Sequence, residues 1–294
     1  MTGQENRGTI LLEDAEVIEQ FDWPEEQYIV RLRSPRVAAA AQAGSFVHLT
    51  CDNAIPMRRP LSIMRVDAEA GWLDILYKIH GEGLRALADQ RPGELLSCLG
   101  PIGKPFEPRP ERPHRVLIGG GVGIPPLVFL AEALAGDSSG RTVAFMGSEI
   151  PFPFDLGSAT DALPGIDATV DATMQLLDDH AIPSRLASLA GFDGVYNGYV
   201  TELASDYLAA LPADELAKCE IFSCGPTPML KATAAVARKF NLPCQVSLEE
   251  YMACAVGGCA GCTVPVTIDG TVAMKRVCVD GPVFEAQTVF PASG

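Results

Sequence analysis

The chain has 294 residues, of which 48% are hydrophobic and 20% charged, and its formal net charge is −15 at pH 7. This length allows two domains and a small appendix at about 100 to 200 residues per domain, and no apolar run is long enough to cross a bilayer. The acidic balance, without a basic cluster, argues against a nucleic-acid surface. The polar opening MTGQENRGTI lacks the apolar stretch of a secretory signal, so we expect a cytoplasmic protein.

The first hundred residues have the pattern of a small β-barrel. Short alternating apolar runs extend from Thr9 to about Pro105 and are separated by turn residues, which is typical of a closed antiparallel barrel. Within it we predict a hairpin between Leu61–Val66 and Trp72–Ile79 and a short helix at Leu84–Asp89.

Two segments of this barrel could hold a flavin nucleotide. In the first, Arg58–Ser62 (RRPLS), a planar guanidinium can bind a pyrophosphate and a strand-edge N–H can face a flavin ring. The second, Leu76–Leu84 (LYKIHGEGL), supplies a cation, an aromatic ring and a glycine-opened helix N-terminus suited to phosphate. Each has a plain alternative: Arg59 as a rim charge, Tyr77 as a core aromatic, and the glycines as turn residues.

The middle of the chain predicts an open α/β sheet. Arg115–Gly123 (RVLIGGGVG) is an apolar strand that runs into glycines, and the helical segment IPPLVFLAEALA follows. This strand, turn and helix present bare amides to a pyrophosphate, although Pro125 and Pro126 depart from the G-x-G-x-x-G pattern. The segment predicts a parallel sheet, with a helix over about Thr227 to Phe240 and further strands at Thr142–Met146, Ala168–Asp171, Gly198–Thr201, Glu220–Cys224 and Gln245–Leu248.

Two turns at predicted strand ends bear on the choice of nucleotide. Cys224-Gly225-Pro226 would let a planar nicotinamide approach the backbone, although Cys224 could simply be the last buried residue of its strand. Glu149 follows another strand, and no Arg comes after it until Arg185. A carboxylate there would accept from a ribose hydroxyl and repel a 2′-phosphate, which favours NAD over NADP.

A cysteine-rich segment near the C-terminus carries the most specific signal. Four thiols, at Cys254, Cys259, Cys262 and Cys278, have four, two and fifteen residues between them. This is the ferredoxin-like spacing for a [2Fe-2S] cluster, since thiolates are the soft ligands that iron prefers. We expect the loop to need its glycines (Gly257, Gly258 and Gly261) for conformations closed to other residues, and to point N–H groups inward.

Other roles for the cysteines remain open. Structural zinc usually takes two C-x2-C pairs or a Cys/His mixture, whereas this segment has one such pair and no His. Disulfides fit poorly with nine cysteines and no secretory signal. The thiols at Cys51, Cys98, Cys219 and Cys244 are predicted to be small core residues. The four histidines, at 48, 80, 114 and 180, show no ligand spacing.

Taken in order, the segments RPLS, YKxxGEG, GPIG, GGGVGIPPL, CGPTPML and SLEEYMACAVGGCAGC resemble the ferredoxin-reductase superfamily, and within it the electron transfer subunits of NAD-dependent, type B dihydroorotate dehydrogenases. The resemblance extends from about Thr9 to Phe290. It implies an FAD-binding β-barrel over 1–108, an α/β parallel-sheet NAD-binding domain over 109–246, and a small C-terminal [2Fe-2S] subdomain over 247–294.

Matched residue by residue, the resemblance implies three sets of binding residues and no catalytic acid or base. The FAD set is Arg59, Pro60, Leu61, Ser62, Leu76, Tyr77, Lys78, Gly83 and Leu84. The NAD set is Gly119, Gly120, Gly121, Val122, Gly123, Cys224, Gly225, Pro226 and Met229. The cluster ligands are Cys254, Cys259, Cys262 and Cys278. Family members commonly have Gly-Thr where Gly83-Leu84 stands, so Leu84 can offer only its backbone N–H; Ala255 and Gly258 stand where Gly and Ala are more usual.

The resemblance also implies a partner, a separate FMN-containing dihydroorotate dehydrogenase catalytic subunit, in a heterotetramer with two copies of each chain. Electrons from dihydroorotate, in pyrimidine biosynthesis, would pass from the partner's FMN through the cluster and FAD to NAD+. Two rivals remain. One is the small FAD and [2Fe-2S] subunit of a ferredoxin:NADP or sulfide dehydrogenase-type oxidoreductase, in which an Asp often stands at the position of Cys254. The other is a zinc-ribbon-like clamp on a regulatory nucleotide-binding protein.

Overall fold

The protein is described here by a computed structural model that covers residues 8–52 and 54–292. Of these, the residues up to Pro105 and Leu248–Val283 form unit 1, and Phe106–Ser247 with the residues from Phe284 onward form unit 2. The chain therefore returns to unit 1 for its cysteine-rich segment and ends in unit 2. The three-domain division at 1–108, 109–246 and 247–294 stays a prediction.

Unit 1 is built on a curled antiparallel sheet. Its strands are β1 (Leu11–Trp23), β2 (Gln27–Arg33), β3 (Phe46–Leu49), β4 (Arg59–Ser62), β5 (Arg65–Asp67), β6 (Trp72–Lys78) and β7 (Leu95–Ile102). Alternate side chains of a strand point to one face, and Val30, Leu32, Leu73 and Ile75 accordingly fill the core with no exposed surface. The strand order is β4-β3-β7-β1-β2-β6-β5, so the barrel that we predicted as closed is a half-barrel.

The predicted hairpin is shorter than the sequence pattern indicates. Only Arg65–Asp67 pairs with β6, whereas β4 pairs with β3. Ile63 and Met64 are buried between the two short strands, so the apolar run from Leu61 to Val66 is a strand, a buried bend and a second strand. Helix α1 spans Pro35–Ala40, and α2 spans Gly81–Ala88, which is three residues earlier than predicted at its start.

The C-terminal part of unit 1 is a loop followed by a hairpin. The loop carries Cys254 and Cys259, and Cys262 stands directly before β16 (Thr263–Ile268). Strand β17 (Thr271–Arg276) pairs with β16 in antiparallel register, and the short helix α8 (Val277–Asp280) brings in Cys278. The hairpin therefore returns the distant fourth thiol to the loop that holds the other three.

Unit 2 contains the predicted parallel sheet. Its sheet strands are β8 (His114–Gly120), β9 (Arg141–Gly147), β12 (Ser184–Ser188), β13 (Tyr196–Asn197), β14 (Cys219–Cys224), β15 (Cys244–Ser247) and β18 (Val283–Glu285), and a separate ribbon comprises β10 (Leu156–Ser158) and β11 (Ala172–Met174). Its helices are α3 (Ile124–Leu134), α4 (Gln175–Asp179), α5 (Val200–Ala210), α6 (Ala213–Leu216), α7 (Thr227–Lys239) and α9 (Ala286–Val289). The central strands are covered on both faces, which explains the full burial of Leu117, Ile118, Ile221 and Phe222.

The strand order β13-β12-β9-β8-β14-β15-β18 reverses direction between β8 and β14. From β8 the chain builds outward through β9, β12 and β13, and then returns to add β14 on the other side of β8. Ligands of open α/β sheets bind at such a switch point, outside the carboxyl ends of the strands. Gly120 and Cys224 end the two strands there.

Two predicted strands of unit 2 are wrong. Ala168–Asp171 lies in a turn, because the Asp167 carboxylate accepts hydrogen bonds from the N–H and hydroxyl of Thr169; the strand begins at Ala172. The segment predicted as the strand Gly198–Thr201 contains the start of α5 instead, where the Glu202 carboxylate accepts from the N–H of Tyr199 at 2.9 Å and caps the helix. In the described part of the chain, no helix has the length and apolar character needed to cross a membrane.

Candidate cluster, flavin and nucleotide sites

The four predicted cluster thiols lie together in unit 1 as two pairs. Cys262 and Cys278 are buried, and their Sγ atoms are 3.3 Å apart. Cys254 and Cys259 lie on the outer side of the loop, where the N–H of Cys259 donates to Cys254 Sγ at 3.4 Å. None of the nine cysteines, all of which lie in the described residues, forms a disulfide, and the Cys262–Cys278 separation exceeds the length of a disulfide, about 2.05 Å.

The arrangement of the four thiols in pairs suits a two-iron cluster. In the described residues, no three His, Cys, Asp or Glu side chains converge on a point that could hold one metal ion. A structural zinc site needs four ligands around one ion, whereas a [2Fe-2S] cluster is held by two ligands on each of two irons. Two separate thiol pairs fit the second arrangement better.

Backbone N–H groups of the loop point toward the sulfurs, as expected. Gly261 donates to Cys259 Sγ at 3.4 Å. Burial opposes ionisation of Cys254, but the N–H groups of Cys259, Val256 and Gly258 and the thiol of Cys259 together lower its pKa to about 7. The donor set thus suits a thiolate bound to a soft cation.

The other thiol pair is harder to ionise, and the loop's glycines are used less than expected. Burial and the neighbouring Cys262 raise the pKa of Cys278 to about 12, so a bound cation would be needed to stabilise its thiolate. Among the three glycines we singled out, only Gly257 has a positive φ, +81°, while Ala255 and Ala260 adopt φ of +55°. The left-handed turns of the loop therefore fall partly on alanine.

The predicted flavin arginine lies against the predicted phosphate-binding helix. A Cβ on Gly83, in the first turn of α2, would lie 2.6 Å from Nη2 of Arg59 and 2.8 Å from its Cζ. Only glycine leaves room for this guanidinium, which is also held by the carbonyl oxygen of Met57 at 2.7 Å. A cation and a helix N-terminus thus face the same space, and this cradle suits a pyrophosphate.

The neighbouring arginine has a different task. Arg58 donates to Thr50 Oγ1 at 3.1 Å and to Ser97 Oγ at 2.7 Å. These contacts fix the start of β4 to the adjacent strands and leave Arg59 as the arginine beside α2. Pro60, Leu61 and Ser62 complete β4, whose backbone follows directly from this anchor.

The predicted FAD residues on β6 are mostly part of the core. Leu76 and Tyr77 are 3% and 2% exposed. The Tyr77 hydroxyl donates to Gln20 Oε1 at 2.7 Å, and Gln20 in turn donates to the carbonyl oxygen of Leu87. Burial raises the pKa of Tyr77. These side chains therefore hold β6 against α2, and only their backbone, with the exposed Lys78 and the half-buried Leu84, can meet a ligand.

At the switch point of unit 2, the glycine turn after β8 packs directly against the turn after β14. A Cβ on Gly123 would collide with the backbone of Cys224, and a Cβ on Gly120 would lie 2.5 Å from Met229 Sδ. Gly121 has φ of +54° and opens the short 3-10 helix before α3. The predicted NAD residues, Gly119 to Gly123 with Cys224, Gly225, Pro226 and Met229, thus come together at one edge of the sheet.

The same edge also carries Glu149, which we predicted to favour NAD over NADP. Glu149 is exposed two residues after the end of β9, beside the buried Ser148. Cys224 is 7% exposed and ends β14. It is thus the last buried residue of its strand and also part of the turn that faces Gly123.

Comparison with known proteins identifies the family. The family model for the iron-sulfur cluster binding domain of dihydroorotate dehydrogenase B matches residues 249–290. The dihydroorotate dehydrogenase B (NAD(+)) electron transfer subunit of Geobacillus thermodenitrificans is 34% identical over 93% of this chain and 96% of its own length. The chain belongs to this family. Electron transfer subunits from Bacillus caldolyticus, at 35% identity over 90% of this chain and 93% of theirs, and from Listeria monocytogenes, at 31% over 95% and 99%, are similar to it as well.

Solved structures support the fold of this electron transfer subunit. A chain of an NADH-dependent reduced ferredoxin-NADP oxidoreductase superposes with a TM-score of 0.73 at 24% identity, over 94% of this chain and 90% of that chain. The ferredoxin reductase of carbazole 1,9a-dioxygenase gives 0.62 at 21% identity, over 80% and 67%. The predicted ferredoxin-reductase-like architecture is confirmed.

Sequence reasoning missed one residue beside the cluster loop of this electron transfer subunit. Arg276 donates from Nη1 to the carbonyl oxygen of Gly257 at 3.0 Å. The signal available in the sequence was a cation two residues before the last predicted ligand, Cys278, but its reach across the loop depends on the register of the β16–β17 hairpin.

Proposed function

We propose that this electron transfer subunit carries FAD in the half-barrel of unit 1, a [2Fe-2S] cluster on Cys254, Cys259, Cys262 and Cys278, and NAD at the switch point of unit 2. The observation that carries the proposal is the arrangement of the four thiols in two pairs, with backbone N–H groups of the loop donating to the sulfurs. Membership in the dihydroorotate dehydrogenase B family supports the reaction class, in which dihydroorotate is oxidised and NAD+ is reduced.

Bound FAD exchanges the one-electron chemistry of an iron–sulfur cluster for the two-electron hydride chemistry of a nicotinamide. The protein's own groups bind and orient. Arg59 and the first turn of α2 would hold the pyrophosphate of FAD, since a cation and free helix amides favour an anion there. The edge strand β4 would line the flavin with its backbone. No proton transfer by a side chain is required.

In unit 2, the turn from Gly119 to Gly123 would bind the NAD pyrophosphate, because its amides precede α3 and its glycines allow close approach. The turn at Cys224, Gly225 and Pro226 would line the nicotinamide. Glu149 would accept a hydrogen bond from an adenosine ribose hydroxyl and disfavour NADP.

The choice of nucleotide is tested by comparing kcat/KM for NADH and NADPH in wild type and in Glu149→Gln. The account expects wild type to prefer NADH and the substitution to narrow that preference, since one repulsive charge is removed. A wild-type preference for NADPH would contradict the assignment of Glu149.

We further propose an FMN-containing catalytic partner, in a complex with two copies of each chain, and a cytoplasmic location. The partner is supported by the designation of the relatives as electron transfer subunits. The location is supported by the lack of disulfides among the nine cysteines, all of which are described, since disulfides form in oxidising compartments and thiols persist in the cytosol.

The function is tested by producing the chain together with the dihydroorotate-oxidising flavoprotein of the same organism and purifying through a tag on this chain. We expect the two chains to co-purify. We also expect the complex to reduce NAD+ with dihydroorotate faster than either chain does alone. A stable complex that reduces ferredoxin or sulfide acceptors but never oxidises dihydroorotate would favour the rival redox subunit instead.

A further inference from the structure

The side chain of Arg276 reaches across the cluster loop. Arg276 is the last residue of β17, and its Nη1 donates to the carbonyl oxygen of Gly257 at 3.0 Å. Its position is fixed from the other side by Asp280, whose carboxylate accepts from the backbone N–H of Arg276 at 2.8 Å and lies 3.7 Å from Nε. The guanidinium is thus held between an acidic group and the loop backbone.

The carbonyl that receives this hydrogen bond lies within the cluster loop. Gly257 comes three residues after Cys254 and two before Cys259, and the N–H of Cys259 donates to Cys254 Sγ at 3.4 Å. The segment held by Arg276 therefore connects the two ligands of the outer thiol pair.

The backbone of the loop at Gly257 is tightly packed. Gly257 has φ of +81°, and a Cβ there would lie 2.5 Å from Val279 Cγ2 and 3.3 Å from Arg276 Nη1. The guanidinium on the Gly257 carbonyl therefore places a positive charge at the loop that carries Cys254 and Cys259.

Reduction of an iron–sulfur cluster adds negative charge, and its potential depends on net charge and on hydrogen bonds to the sulfurs. We propose that Arg276 is a positioning residue that holds the loop between Cys254 and Cys259 at Gly257, with its charge beside the thiols, and thereby raises the reduction potential of the cluster. This inference rests on the proposed function, because it requires the cluster to be bound.

The test is an EPR-monitored redox titration of the FAD- and cluster-loaded protein, with iron content measured in parallel. Arg276→Gln should shift the cluster midpoint to more negative potential and change its EPR signature. Arg276→Lys keeps the charge but loses the planar fork, and should shift it less.

Lys275→Gln is the matched control. It removes the same charge one residue earlier, but alternate side chains of β17 point to opposite faces, so the midpoint should stay at the wild-type value. An unchanged midpoint in a cluster-bearing Arg276→Gln protein, or an equal shift in Lys275→Gln, would overturn the inference.

If Arg276→Gln loses iron, the Arg276→Lys protein decides, because a wild-type midpoint there overturns the inference and a shift to more negative potential supports it. A wild-type chain that binds no iron and sulfide contradicts the proposed function itself. A cluster-bearing wild type with a midpoint indifferent to these changes contradicts only the role of Arg276.

Discussion

Substitution of Gly83 by alanine should weaken flavin binding without destabilising the fold. The added methyl group would lie 2.6 to 2.8 Å from three atoms of the Arg59 guanidinium, so the arginine must move away from the N-terminus of α2. The backbone tolerates the change, since Gly83 is helical and alanine is the better helix former by about 0.8 to 1.0 kcal/mol in a helix interior.

The magnitude follows from the contact that is displaced. A hydrogen bond to a charged group contributes about 1.5 to 3 kcal/mol, and about 1.4 kcal/mol corresponds to a tenfold change in affinity. Gly83→Ala should therefore weaken FAD binding about 10- to 150-fold, while the free energy of unfolding of the apoprotein stays within about 1 kcal/mol of wild type. Quenching of FAD fluorescence measures the first quantity and urea denaturation the second.

The Arg59→Ala background provides the control. Once the guanidinium is gone, Gly83→Ala has nothing to displace, and the double variant should bind FAD within about 0.5 kcal/mol of Arg59→Ala alone. The reasoning is refuted if Gly83→Ala binds FAD as wild type does, or if it weakens binding equally in both backgrounds.

Three further outcomes are expected. Cys278→Ser should lower iron content and abolish electron transfer between the two subunits while NADH-to-dye activity survives; unchanged transfer between the subunits in a cluster-depleted protein would contradict the order of carriers. Tyr77→Phe leaves the side-chain oxygen of the half-buried Gln20 without its donor, so urea denaturation should show a loss of about 0.5 to 1.5 kcal/mol, with FAD content unchanged. Loss of FAD at wild-type stability would instead give the hydroxyl a binding role. In the apoprotein, the rate at which iodoacetamide alkylates Cys254, followed by mass spectrometry, should be half-maximal near pH 7, because hydrogen bonds within the loop lower the pKa of this thiol to about 7. A midpoint near the ordinary thiol pKa of 9.0 would count against these hydrogen bonds.

The sequence was most informative where a strong period coincided with a distinctive motif. The helices at 124–134 and 227–239 and the strand at 219–224 match their predicted positions closely, because long apolar or amphipathic runs there are bounded by glycine and proline. The cysteine spacing predicted the proximity of the thiols, and three of them needed only a short loop.

The failures arise where local side-chain bonds decide between similar patterns. The segment from Gly198 to Thr201 is apolar enough for a strand, but the Glu202 carboxylate caps α5 at Tyr199. Leu61–Val66 is one apolar run, yet its two ends pair with different strands. Such choices depend on partners distant in sequence, which periodicity does not register.

The residues of the candidate sites were likewise predictable from the sequence, whereas their contacts in space were not. Arg59 and Gly83 were each predicted to bind FAD, but their mutual contact depends on how β4 and α2 meet in space. Tyr77 matched a motif and nevertheless lies in the core. Arg276 escaped notice because its contact with Gly257 is made by the fold across nineteen positions of the sequence.

The most direct test of the account is the metal content and spectrum of the purified chain. Bound flavin with additional cluster absorption, and about two irons and two acid-labile sulfides per chain, is the expected result for a [2Fe-2S] cluster on four cysteines. A colourless protein that contains one zinc and no sulfide would contradict it.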